Sequence, residues 1–132
     1  MTARGVDGTP IVIDDFDCRR FLRLLADVAH RFAWHCHAFC LMTNHYHVVL
    51  ETSCSRLSAG FHRLNGLYAQ AFNRRHGRRG HLFGDRFWSS AIEGEDHLLN
   101  ACRYVVLNPV RSGLCERAEH WLWSASRYGC EV

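Results

Sequence analysis

The sequence predicts an α+β fold, an antiparallel sheet flanked by helices, and three observations carry that expectation. Residues 34–42 and 45–52 read as two strands joined by little more than Thr43 and Asn44, a connection that fits a hairpin. The segments on either side of that hairpin place apolar residues at helical spacing. The elements follow the order helix, hairpin, helix, strand, helix, which is not the strict alternation of strand and helix that a parallel sheet requires. With 132 residues the chain is read as one domain over 1–132, long enough to bury a single core.

Residues 1–10 carry glycine and proline around a short extended piece, IVID, and Asp14 or Asp15 starts the first helix. Phe21, Leu25, Val28 and Phe32 share one stripe of it, while Arg19, Arg20, Arg23, Asp27 and Arg31 fall elsewhere. In the strand LMTNHYHVVLE, alternation puts His45, His47 and Val49 on one face and Tyr46, Val48 and Leu50 on the other. Ser55 is expected to cap a second helix over 56–76, whose apolar face is Leu57, Phe61, Leu64, Tyr68, Ala71 and Phe72. Gly77 to Gly80 break it, a strand follows over 86–92, and Glu95 or Asp96 opens a third helix. That helix runs to Asn108-Pro109, because proline disfavours the helical conformation in the residue before it. The tail WLWSASRYG reads as aromatic packing against the sheet and a short turn.

Composition narrows the function classes. Hydrophobic residues make up 48% and charged residues 22%, as in an ordinary folded domain. Apolar runs are short and interrupted by His, Arg or Asp, which supports neither a membrane span nor a signal peptide, so a cytoplasmic location is expected. The 7 cysteines form no CxxC pair, and an odd number makes a poor disulfide framework; reduced thiols are expected. Cys36 and Cys40, with His35 and His37, invite a zinc site, but on a strand the two thiols stand ~13 Å apart, too far for one tetrahedral ion.

The net charge is only +3, yet all 16 basic residues are arginine, whose planar fork grips phosphate where lysine offers a point charge. Between Arg56 and Arg86 there are seven arginines and a single acid, Asp85. RRHGRRG at 74–80 is the densest part. This points to a phosphate-binding surface, against the alternative of a solvated helix end with favourable dipole interactions.

Two imidazoles on one strand face can both reach a divalent ion, although an HxH pair by itself is weak evidence. The third helix adds to it. Leu98, Leu99, Cys102, Val105 and Val106 cluster as its packed side, whereas Tyr104 and Asn108 share another stripe with His97 and Ala101. A tyrosine hydroxyl, with a pKa near 10, needs a metal-polarised electrophile or a base to act as a nucleophile. An ion on His45, His47 and Asn108 would suit displacement at a phosphodiester by Tyr104. Tyr68 is the competing nucleophile, but its place on an apolar stripe is explained by packing.

LMTNHYHVVLET, LNGLYAQAFNRRHGRRGHLFGDRFWS and CRYVVLNPVRSGL resemble, in order and spacing, the REP-associated tyrosine transposases, a branch of the single-tyrosine HUH transposases. The resemblance covers about residues 3–128. It implies the HUH endonuclease fold, which is ferredoxin-like or RRM-like. It further implies that His45, His47 and Asn108 bind Mg²⁺ or Mn²⁺, and that Tyr104 cuts single-stranded DNA to leave a 5′-phosphotyrosyl link and a free 3′-hydroxyl. The expected partner is single-stranded or hairpin DNA, the active unit a monomer or homodimer. Arg63, Arg74, Arg75, Arg78, Arg79 and Arg86 are the candidates for its backbone, on charge alone. Family members carry a longer first strand ending in a pattern like Thr2 to Gly5, so this chain is expected to lack most of that strand and to be N-terminally truncated. Two alternatives stay open: a hairpin-binding protein that no longer cuts, and a metallohydrolase that uses water as its nucleophile.

Overall fold

The structure, a computed structural model, describes residues 2–4, 8–84 and 89–126. Its elements are β1 (Thr2–Arg4), α1 (Asp15–Arg31), β2 (His35–Leu41), β3 (His45–Glu51), α2 (Cys54–His76), α3 (Gly94–Val106), α4 (Asn108–Arg111), a 3-10 turn (Ala118–His120) and β4 (Ser124–Ser126). The strands form one antiparallel sheet in the order β1-β3-β2-β4. None of the described helices is long and apolar enough to cross a bilayer.

The hairpin is where alternation and the two-residue turn put it, and Met42 N donates to His45 O across the turn. Each face of β3 meets a different layer. Tyr46 and Val48 pack with Phe21, Leu25 and Val28 of α1 and Phe61, Leu64 and Tyr68 of α2. On the other face Val49 joins Ala38 and Cys40 of β2 against Cys102 and Val105 of α3. The sheet is therefore sandwiched, with α1 and α2 on one side and α3 on the other. A bulge between Cys36 and Ala38 sets this up, since Cys36 pairs with Leu50 and Ala38 with Val49, leaving His37 as the extra residue. Cys36 and Cys40 consequently lie on opposite faces, one against each layer. Burial pushes the Cys40 thiol up to about 12 and the Cys18 thiol up to about 11, which keeps both as inert packing groups.

Helix ends follow local chemistry. Asp14 caps α1 by accepting from Asp17 N at 3.1 Å. Gly77, at φ 62°, terminates α2 in the left-handed conformation that glycine adopts without strain. The far ends of these two helices are tied together. Asp17, 1% exposed, accepts from Arg75 Nη1 at 2.8 Å, from His76 Nε2 at 2.8 Å and from Ile13 N at 2.9 Å. Arg75 also grips Asp14 with both terminal nitrogens at 2.7 Å. A buried carboxylate with every contact a donor is well satisfied.

Several expectations are corrected. Ser53, not Ser55, caps the second helix, by accepting from Arg56 N at 3.4 Å. The extended piece IVID docks on the hairpin turn, where Ile11 N and Val12 N both donate to Thr43 O. Of the strand expected over 86–92, residues 86–88 lie outside the described residues and 89–92 are not in a strand. The fourth strand comes instead from the tail, where Ser124–Ser126 pairs with β2 and Trp121 Nε1 donates to Leu41 O at 3.0 Å. The first strand, Thr2–Arg4, is three residues long and lies beside the histidine strand, which fits the expectation of a short one.

Candidate functional site

His45 and His47 are both half-buried on β3, with ring centroids 4.9 Å apart and planes at 86°. Strand alternation aims them at one side, and β1 flanks them in register, Arg4 opposite His45 and Thr2 opposite His47. On the other flank Cys40 of β2 stands opposite His47, and Cys40 packs in the same cluster as Cys102 and Val105 of α3. The imidazoles and α3 therefore share one face of the sheet.

The donor set can be tested from its second layer. His45 Nδ1 lies 2.7 Å from Asn44 Oδ1. An amide oxygen only accepts, so Nδ1 is the donor in this contact, the kind of hydrogen bond that orients a metal-binding histidine from behind. Among the described residues no group of three or more His, Cys, Asp or Glu side chains could hold a metal ion. Among the described residues a third protein ligand would have to be of another kind, and the amide of Asn108 is of that kind. The pair fits a divalent ion that takes mixed nitrogen and oxygen ligands.

Tyr104 projects from α3 at 58% exposure, while its helical neighbours Cys102, Val105 and Val106 are buried. Leu107 ends α3, and Asn108-Pro109 begins the short α4, Pro109 near its start where the missing N–H is harmless. Tyr104 and Asn108 thus sit on successive turns even though two helices are counted. Arg111, at the end of α4, folds back over the Tyr104 ring.

The other tyrosines behave differently. Tyr68 is 0% exposed and its hydroxyl donates to Ile11 O; Tyr46 is 1% exposed and donates to Asn65 Oδ1 at 2.6 Å. Burial pushes both phenols far above their ordinary value, so neither forms a phenolate readily. Tyr128 lies outside the described residues.

The six candidate arginines separate. Arg63, Arg74 and Arg79 are exposed. Arg78 is half-buried, with Nη1 donating to Asn73 Oδ1 at 3.3 Å. Arg75 spends its fork on Asp14 and Asp17 and serves the fold. Arg86 lies outside the described residues. Arg111 was missed by sequence reasoning, although its place seven residues after Tyr104, two turns on, was the signal that could have found it.

A model of the family described as "Transposase IS200 like" matches residues 10–108, a span that contains His45, His47, Tyr104 and Asn108. Among solved structures the chain is similar to that of a REP-associated tyrosine transposase bound to a REP hairpin, with a TM-score of 0.74 at 16% identity, over 93% of this chain and 72% of that one. At that identity the likeness establishes the fold, an antiparallel sheet with flanking helices. No curated protein matches the sequence.

Proposed function

Because the chain belongs to the IS200-like transposase family, we propose that it is a metal-dependent single-strand DNA endonuclease and strand transferase acting on hairpin or repeat DNA through Tyr104. The observation that carries this reading is the shared sheet face: the His45–His47 pair and the helix bearing an exposed tyrosine lie on the same side, while the two other described tyrosines are buried. The hairpin carried by the similar solved structure supports hairpin DNA as the partner.

In the proposed reaction the Tyr104 oxygen attacks the scissile phosphorus and loses its proton to solvent. The bond to the 3′-oxygen breaks, and that oxygen leaves as a 3′-hydroxyl. The ester linkage is retained as a 5′-phosphotyrosine, so a 3′-hydroxyl can later displace the tyrosine and rejoin strands. His45, His47 and the Asn108 amide oxygen are the residues that would hold Mg²⁺ or Mn²⁺. When bound there, such an ion supplies Lewis-acid polarisation of the phosphoryl oxygen.

The test is a labelled hairpin oligonucleotide with a single-stranded flank, incubated with the protein and Mn²⁺. A covalent adduct lost in Tyr104→Phe and kept in Tyr68→Phe is the expected result. Binding without an adduct would overturn the reading in favour of a hairpin-binding protein, and cleavage without an adduct in favour of water as the nucleophile.

A further inference from the structure

We propose that the groove between α1 and α2 seats backbone phosphates of nucleic acid, on the sheet face opposite Tyr104. The groove measures about 350 Å³ and is lined by Arg20 and Arg23 from α1 and Arg74 from α2, over a floor that includes Leu24 and Leu67, with Gln70 at its side. Arg23 and Arg74 are exposed and Arg20 half-buried. The ion pairs among the described residues join Arg75 to Asp14 and Asp17, His76 to Asp17 and Arg117 to Glu119, so none of the three groove guanidiniums has a carboxylate of the described residues within 4.0 Å.

The contrast with the next residue gives this weight. Arg75 sits one position on and is sealed by two carboxylates, whereas Arg74 lines a groove whose other charged lining residues, Arg20 and Arg23, carry its own sign. Three cations brought from two helices onto one concave surface repel one another, and an anion placed between them relieves the repulsion. Guanidinium is the cation best shaped for phosphate oxygens, and Gln70 adds a neutral donor. Arg20 is held in place by its position over the Phe16 ring, 4.7 Å from the centroid.

Because α1 and α2 cover one sheet face and α3 the other, this groove is separate from the face that carries the tyrosine. A ligand contacting both must pass around the sheet, which suits a folded DNA with a stem and a flank better than a short single strand. The inference rests on the DNA-binding reading above and extends it to residues on α1.

The experiment measures binding of a fluorescent hairpin with a single-stranded flank to the full chain between 50 and 200 mM salt, a range in which phosphate contacts dominate the dependence (~1 unit of slope per contact). The double variant Arg23→Gln/Arg74→Gln should bind about tenfold more weakly, with a log K against log salt slope shallower by about 2. Its thermal unfolding midpoint should match the wild type, since both side chains are exposed. The control Arg19→Gln/Arg31→Gln removes the same charge from exposed α1 positions outside the groove and should keep the wild-type affinity and slope. Wild-type affinity and slope in the groove variant would overturn the proposal while leaving the functional reading intact. Equal loss in the control would also overturn it, by showing a diffuse charge effect. Failure of the wild type to bind the hairpin would overturn both.

Discussion

The guanidinium carbon of Arg111 lies 3.8 Å from the centre of the Tyr104 ring, and its Nη2 donates to the Tyr104 carbonyl oxygen at 2.6 Å. Arg111 thus reaches from the end of α4 back to the last turn of α3, across the junction at Pro109. One arginine thereby holds both the main chain and the ring of the proposed nucleophile. Arg111→Ala should lower unfolding free energy by about 1 kcal/mol, the scale of an exposed cation–π contact, read by urea denaturation. It should also slow adduct formation at saturating DNA at least about tenfold, as expected when a reacting group loses its orientation. Arg111→Lys should not restore the rate, because an ammonium cannot stack as a plane.

Acid should loosen the tie between α1 and α2. The hydrogen bonds from Arg75 hold the Asp14 carboxyl well below the usual carboxylate range, so its contribution is complete above the unfolded value of ~4 and is lost as pH falls below it. Asp14→Asn keeps a competent N-cap and removes only the charge. The variant should be less stable than wild type at pH 6, and the difference should narrow progressively as pH falls below about 4. A gap of unchanged size between pH 6 and pH 2 would show that the carboxylate is not the source.

Arg75 should behave as a structural residue. Removing it leaves Asp17, whose side chain is 2% exposed, with a buried negative charge and one fewer donor. Arg75→Ala should therefore cost about 3 kcal/mol in stability, measured by denaturant unfolding. At temperatures where it stays folded, its salt slope for hairpin binding should equal that of the wild type. A shallower slope would return Arg75 to the DNA-binding set.

What was legible in the sequence is what local rules govern. The hairpin, the partition of β3 into a histidine face and a tyrosine face, the caps at Asp14 and Gly77, and the packed stripe of α3 all follow from spacing and end chemistry. The cap of α2, Ser53 rather than Ser55, is a local miss; the burial of Asp17, the strand at Ser124–Ser126 and the bulge at His37 are non-local. Asp17 looks like a first-turn acid facing solvent, and is buried only because Arg75 and His76 arrive from the far end of α2. Ser124–Ser126 has neither alternation nor β-branched residues, and becomes a strand because the open edge of β2 needs partners for its backbone groups. The bulge at His37 leaves no composition signature, yet it decides which thiol faces which layer. The proposed site divides in the same way: the histidine spacing and the Tyr104–Asn108 interval can be read off the chain, whereas the sheet face that the histidines share with α3 needs the fold.

Tyr68 should matter for stability alone. Its hydroxyl donates to the carbonyl of fully buried Ile11, an acceptor that Tyr68→Phe leaves unmatched. A loss of about 1–2 kcal/mol is expected in urea unfolding, the usual cost of orphaning a buried polar group. Covalent adduct formation with hairpin DNA should persist in the folded variant. An abolished adduct with intact stability would reassign the nucleophile.

Two glycines of α2 should respond to alanine with opposite signs, although both sit inside the helix, where alanine is favoured by about 1 kcal/mol. A Cβ on Gly60 would fall 2.2 Å from Trp34 Cζ2 and 2.7 Å from Cε2. The indole cannot simply step aside, because its Nε1 donates to Arg56 O at 3.1 Å and its ring packs at a tilt against Phe61, centroids 5.0 Å apart. Overpacking of this kind costs about 1–3 kcal/mol, which outweighs the gain in helix propensity, so Gly60→Ala should destabilise. At Gly66 an added Cβ meets nothing within 4 Å, and only the propensity gain remains. Gly66→Ala should raise the unfolding free energy by roughly 0.5–1 kcal/mol. Denaturant unfolding of the two variants side by side reads the difference, and a stabilising Gly60→Ala would mean that Trp34 does not pack against α2 in solution.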